Sequence, residues 1–120
     1  MRVLCIDDNS DITDFCQSVL EAQGHSCLVT NNGRDGLDLI KKKESDLVLL
    51  DLAMPQFSGE DLIKELQKEG SIEQYNIYIF TASVITEEIT SKLINLGVKD
   101  CIRKPIRLET LLGILQKNEK

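Results

Sequence analysis

The chain has 120 residues, of which 42% are hydrophobic and 28% charged, a composition that predicts one globular domain over residues 1–120. Its 14 Lys and Arg against 20 Asp and Glu give a formal net charge of -6, which argues against general affinity for nucleic acid or an anionic membrane. No stretch approaches the ~20 apolar residues that span a bilayer, and the N-terminus opens as a strand instead of a signal peptide, so a cytoplasmic protein is expected.

In chain order, Val3-Leu4-Cys5-Ile6 reads as a buried strand. Ile12, Phe15, Cys16, Val19 and Leu20 then follow the i, i+3, i+4, i+7, i+8 rule of a helix, with Asn9 or Ser10 as cap and Gly24 as stop. Cys27-Leu28-Val29 forms a second strand, and Leu37 and Ile40 mark a shorter helix after Asn32-Gly33. The run Leu47 to Leu50 goes straight into Asp51 and stops at Pro55, the signature of a strand buried on both faces in a parallel sheet. Ser58-Gly59-Glu60-Asp61 has the Ser-x-x-acid start of a helix carrying Leu62, Ile63 and Leu66 and closed by Gly70. Ile77 to Phe80 gives strand four. Thr86 opens a helix with Leu93, Ile94 and Leu96, ended by Gly97, and after the fifth strand, Cys101-Ile102, a last helix carries Leu108, Leu111, Leu112 and Leu115.

Five alternations of strand and helix predict an α/β domain: a five-stranded parallel sheet in the doubly wound order 2-1-3-4-5, flavodoxin-like in architecture, with five helices on its two faces. The lysines at 41 to 43 read as a solvated helix end. Cys5, Cys16, Cys27 and Cys101 show no CxxC spacing and read as core thiols, and the lone His25 reads as an incidental surface or strand-edge residue.

Ligands of such sheets bind outside the carboxyl ends of the strands. Strand one delivers Asp7 and Asp8 to that edge, strand three Asp51, strand four Thr81 and strand five Lys104; the outer strand two, ending in Thr30 and Asn31, is not expected to contribute. Two carboxylates about 4 Å apart repel by about 4 kcal/mol at an effective dielectric near 20, so three need compensation from a divalent cation, a raised pKa or the Lys104 ammonium. Mg²⁺ uses one or two carboxylates, keeps several waters and completes its shell with substrate phosphate. Asp8 and Asp51 suit that role, with Asp7 orienting a metal-bound water. Such a site is built to bring a phosphoryl group to a carboxylate, with Thr81 and Lys104 ready for its oxygens.

Four motifs, CIDDN at 5 to 9, LLDLAMPQFSG at 49 to 59, FTAS at 80 to 83 and IRKP at 102 to 105, together resemble the response-regulator receiver domain of two-component signalling, as in the stand-alone chemotaxis-type regulators. The resemblance implies that Asp51 is the phosphoacceptor and that Mg²⁺ is held by Asp8, Asp51 and the backbone carbonyl of Ala53, with Asp7 acting through water. It implies that Thr81 is the switch hydroxyl and Lys104 the phosphate-contacting lysine, followed by a cis bond to Pro105. The donor would be a histidine kinase or phosphotransfer protein. The output would be a contact between an unknown downstream protein and the face spanning 86–115, the domain itself being a monomer or weak dimer.

The chain departs from that family at Cys101, where receivers usually carry Tyr or Phe whose ring rotation is coupled to the switch hydroxyl. Ala53 and Ser83 stand two residues beyond Asp51 and Thr81, at positions that tune phosphoryl hydrolysis in the family. With neither an acid nor an amide at either place, a long-lived phospho-form is expected. Alternative readings are a phosphorylation-independent docking module, a flavodoxin-like flavin carrier and an aspartyl-phosphate hydrolase. The acid pair would repel a flavin phosphate and only 4% of residues are aromatic, while the hydrolase would want a second acid where Ala53 stands.

Overall fold

A computed structural model of the chain describes residues 1–70, 72–82 and 86–119. Strand β1 (Arg2–Ile6) leads into α1 (Ser10–Ala22), β2 (Ser26–Thr30), α2 (Gly33–Lys41), β3 (Leu47–Asp51) and α3 (Gly59–Lys68). A short 3₁₀ turn (Ile72–Gln74) precedes β4 (Ile77–Thr81), α4 (Glu87–Asn95), β5 (Asp100–Arg103) and α5 (Leu108–Asn118). The strands form one parallel sheet in the order β2-β1-β3-β4-β5, as the alternation of elements predicts.

Side chains on a strand point alternately to opposite faces, and the core divides accordingly. Leu4, Ile6, Val48, Leu50, Ile77 and Ile79 face α2, α3 and α4, meeting Leu37, Ile40, Leu62, Ile63, Leu66 and Leu93. Val3, Cys5, Leu47, Leu49, Tyr78 and Phe80 face α1 and α5, meeting Cys16, Leu20, Leu111, Ile114 and Leu115. All five residues of β3 are buried, which is why that segment reads as an unbroken apolar run.

Four of the five helices start where a short polar side chain satisfies their free amides. Asn9 accepts from Asp11 N, Asn32 from Arg34 N and Asp35 N, and Thr86 from Ile89 N. Ser58 and Asp61 exchange side chain to backbone bonds in a full capping box. The fifth, α5, begins at Arg107 without a side-chain cap. The three glycines expected as stops all have positive φ: Gly24 (85°), Gly70 (132°) and Gly97 (116°).

The structure departs from the sequence reading in two places outside the site. The 3₁₀ turn is too short to produce a periodic signal, yet it plugs Ile72 into the core at 2% exposure. His25 is not incidental: its half-buried side chain has the Met1 ammonium donating to Nδ1 (2.7 Å) and Nε2 3.4 Å from the Glu119 carboxylate. The four cysteines are free thiols; Cys5 and Cys16 are buried, and Cys27 and Cys101 half-buried. Among the described residues, no helix is long and apolar enough to cross a membrane.

Candidate functional site

The carboxyl ends of β1, β3, β4 and β5 converge because parallel pairing sets them in register: Ile6 beside Leu50, Asp51 beside Phe80, and Thr81 beside Arg103. The chain leaves the sheet at that level, so the next residues of each strand share one edge. Asp7 (2% exposed), Asp51 (4%) and Thr81 (1%) are buried there, while Asp8 is exposed. Carboxylate oxygens of Asp7, Asp8 and Asp51 lie within 4.8 Å of one another.

Lys104 enters this cluster from beyond β5. Its Nζ donates to Asp7 Oδ2 at 2.7 Å and lies 3.3 Å from Asp51 Oδ1. Its backbone N donates to the Thr81 carbonyl at 2.8 Å, and its bond to Pro105 is cis, as expected from the motif. The other oxygen of Asp7 accepts from Asn9 N at 2.9 Å. Asp51 Oδ1 accepts from Ala53 N at 3.4 Å. Ala53 itself is exposed on the loop that follows β3.

Of the three ways to offset the acidic repulsion, this protein shows two. The Lys104 ammonium neutralises part of the charge, and Asp51 holds its proton more tightly than an ordinary carboxyl. Burial first, and the Asp7 carboxylate second, push Asp51 up to about 6 against the opposing pull of Lys104. Burial also pulls the Lys104 pKa down, but Asp7 and Asp51 outweigh it and the net shift is upward, so the ammonium stays charged.

The third way, a cation, fits the donor set. Three carboxylates within one ion's reach, one of them open to solvent, form a hard oxygen site of the kind that suits Mg²⁺ better than a soft metal. Among the described residues this is the one group of three or more such side chains close enough to share an ion.

Backbone packing keeps Asp51 in place. Leu52 N donates to the Phe80 carbonyl and Gly59 N to the Leu52 carbonyl, so the β3–α3 loop folds back onto its own strand. A Cβ on Gly59 would come within 2.4 Å of the Asp51 carbonyl oxygen, so the close approach requires glycine there.

Two expectations about the surroundings need revision or completion. The sequence leaves strand two out of the site, yet Asn31, just past β2, donates its amide to the Asp7 carbonyl at 2.7 Å. Cys101 sits half-buried on β5 opposite Ile79, against the α2, α3 and α4 side of the core. Burial, with Asp100 adding to it, pushes its thiol up to about 11, which leaves it protonated and unreactive near neutrality. Ser83, named with Ala53 as a hydrolysis-tuning position, lies outside the described residues.

A sequence model of the response regulator receiver domain matches residues 3–116. The chain is a response-regulator receiver domain. This receiver is 28% identical over 124 residues to the response regulator SaeR of Staphylococcus aureus, an alignment covering 97% of the chain and 52% of that protein. It thus spans about half the length of SaeR. Among solved structures, the signal receiver domain of a putative Luxo repressor protein from Vibrio parahaemolyticus superposes with a TM-score of 0.86 at 25% identity, covering 98% of this chain and 88% of that one. A response regulator receiver domain protein from Clostridium thermocellum gives 0.83 at 25% identity, covering 98% and 92%. Chemotaxis protein CheY4 of Vibrio cholerae, at 24% identity, a TM-score of 0.85 and 98% coverage of both chains, shares the fold. Receiver domains are modules of two-component signalling and not enzymes in the ordinary sense, and phosphorylation and Mg²⁺ are typical of the family.

Proposed function

We propose that this receiver takes a phosphoryl group from a histidine kinase or phosphotransfer protein onto Asp51 and signals through contact with a downstream protein. The observation that carries this reading is the buried Asp51 carboxylate, set against Lys104 and beside Asp7 and Asp8 on a receiver fold.

With a pKa of about 6, Asp51 is mostly ionised near neutral pH and able to act as a nucleophile. A carboxylate oxygen attacks the phosphorus of a phosphohistidine, the P–N bond breaks, and the imidazole leaves with its electron pair and takes a proton from solvent. The product is an acyl phosphate on Asp51. Asp8, Asp51 and the Ala53 carbonyl would hold Mg²⁺, with Asp7 contributing through water; when bound, the ion neutralises charge on the transferring oxygens. Lys104 supplies a second positive charge at the same edge, and the Thr81 hydroxyl would hydrogen-bond a phosphoryl oxygen. Movement of Thr81 and Lys104 toward the phosphate would bias the face made by α4, β5 and α5. With Cys101 where a switch aromatic usually stands, that face works without a rotating ring. Ala53 and Ser83 favour slow loss of the phosphoryl group.

The test is intact-protein mass spectrometry after incubation with acetyl phosphate and Mg²⁺, with Asp51→Asn and a metal-free sample as controls. One hydroxylamine-labile phosphoryl adduct that needs both Asp51 and metal is expected. No adduct from acetyl phosphate or from a phosphohistidine donor, in folded protein, would favour a docking module. Sustained release of phosphate from phosphomonoesters would favour a hydrolase.

A further inference from the structure

Asn31 belongs to the loop after the outermost strand, yet it reaches the acid pair. Its Nδ2 donates to the Asp7 carbonyl at 2.7 Å and to Thr13 Oγ1 at 3.2 Å. Thr13 is 1% exposed in the first turn of α1, and its own hydroxyl proton goes to the Ser10 carbonyl at 3.1 Å. Both N–H groups of the amide are therefore used, one on each side of the turn that carries Asp8. One residue earlier, the Thr30 carbonyl accepts from Asp7 N at 3.1 Å. The Asp7 backbone is gripped from the β2 side at both its N–H and its C=O.

The second grip has a specific geometric effect. The Asp7 carbonyl lies in the peptide plane that joins Asp7 to Asp8, and that plane is rigid. Fixing its oxygen fixes the direction in which the next residue leaves it. The Asp7 side chain is already held by Asn9 N and Lys104, whereas Asp8 is exposed. The Asp8 side chain meets Asp51, and the orientation of its preceding peptide is the backbone restraint on where that carboxyl stands.

We propose that Asn31 is a positioning residue: through the Asp7 carbonyl and Thr13 it presets the Asp8 carboxylate for the divalent cation. The inference rests on the reading of this edge as an Mg²⁺-dependent phosphoacceptor site. Its neighbour Asn32 supplies a natural contrast, since that side chain faces its own helix and caps Arg34 N and Asp35 N. Two adjacent amides thus have separable duties, one toward the site and one toward α2.

The experiment is calorimetric titration of the full chain with MgCl₂ for the wild type, Asn31→Ala, Asn31→Leu and Asn32→Ala, with unfolding midpoints and acetyl phosphate adduct rates on the same samples. Leucine keeps the branched outline of asparagine, with bulkier methyl ends, and removes its donors. Both Asn31 variants are expected to raise the Mg²⁺ Kd by roughly threefold to tenfold, the effect of one net hydrogen bond. Their adduct rates should return to the wild-type value at saturating Mg²⁺. Asn32→Ala should lower the unfolding midpoint and leave the Kd within about twofold. The inference is overturned if the Asn31 variants bind Mg²⁺ as the wild type does, or if Asn32→Ala weakens binding equally, which would make the effect general loosening. A wild-type chain that neither binds Mg²⁺ nor takes a phosphoryl group would refute the receiver chemistry and this inference with it. Normal wild-type chemistry beside unchanged Asn31 variants would refute the positioning role alone.

Discussion

Replacing the proposed phosphoacceptor should stabilise the metal-free protein, and by an amount that depends on pH. Asp51 is pushed from 3.8 up to about 6 in the folded state, chiefly by burial and by Asp7. Between those values the folded chain binds more protons than the unfolded one, so stability falls as pH rises through the interval. Above it the deficit is constant. A shift of roughly two units at ~1.4 kcal/mol each gives about 3 kcal/mol of destabilisation from the ionised carboxylate. The neutral amide of the Asp51→Asn variant carries no such penalty, and the opposing pull of Lys104, 3.3 Å away, is already contained in that shift. The net gain for Asp51→Asn should be about 3 kcal/mol near pH 7.5, or roughly 9–15 °C in the unfolding midpoint, shrinking to nothing near pH 4. Urea unfolding in EDTA across that pH range measures it directly. A variant less stable than wild type at the alkaline end, or a difference that does not change with pH, would refute the reasoning.

Lys104→Met should cost about 3 kcal/mol at neutral pH, because it leaves two buried carboxylates without their cation, and part of the loss should return on acidification toward pH 5, as urea unfolding at the two pH values would show. Gly59→Ala should destabilise by about 2 kcal/mol or more and slow adduct formation from acetyl phosphate, since the new methyl collides with the Asp51 carbonyl; normal rates would mean that the β3–α3 loop yields freely. Leu62→Ala, at a fully buried position where α3 packs into the apolar core, should cost about 3 kcal/mol in urea unfolding while leaving the Mg²⁺ Kd unchanged.

Much of this architecture is legible in the residues because burial and capping leave periodic or local traces. β3, buried on both faces, reads as an unbroken apolar run ending at Asp51. Ser58 with Asp61 announces α3 without reference to any tertiary contact. The site follows from topology: once strands alternate with helices, the residue after each strand has a known address. What stays hidden acts across the chain without a period. Asn31 reaches sideways from an edge loop, and the one available hint is a pair of amides at 31 and 32 where a helix cap needs one. His25 reads as incidental because its partners, the Met1 ammonium and Glu119, come from the two ends of the chain. Cys101 is visible as a departure, but its burial and protonation depend on packing that no motif encodes.

The bond between Lys104 and Asp7 joins residues 97 positions apart. Local elements such as α1 form from neighbours in sequence, but this contact must wait until almost the whole chain has been threaded and the loop entropy between its ends has been overcome. The final electrostatics of the acidic edge therefore depend on a contact that closes nearly the whole chain. A nascent or clipped chain that stops before β5 presents the carboxylates of β1 and β3 without the ammonium that restrains them. On the proposed function, such a chain would lack the second positive charge that meets the incoming phosphoryl group.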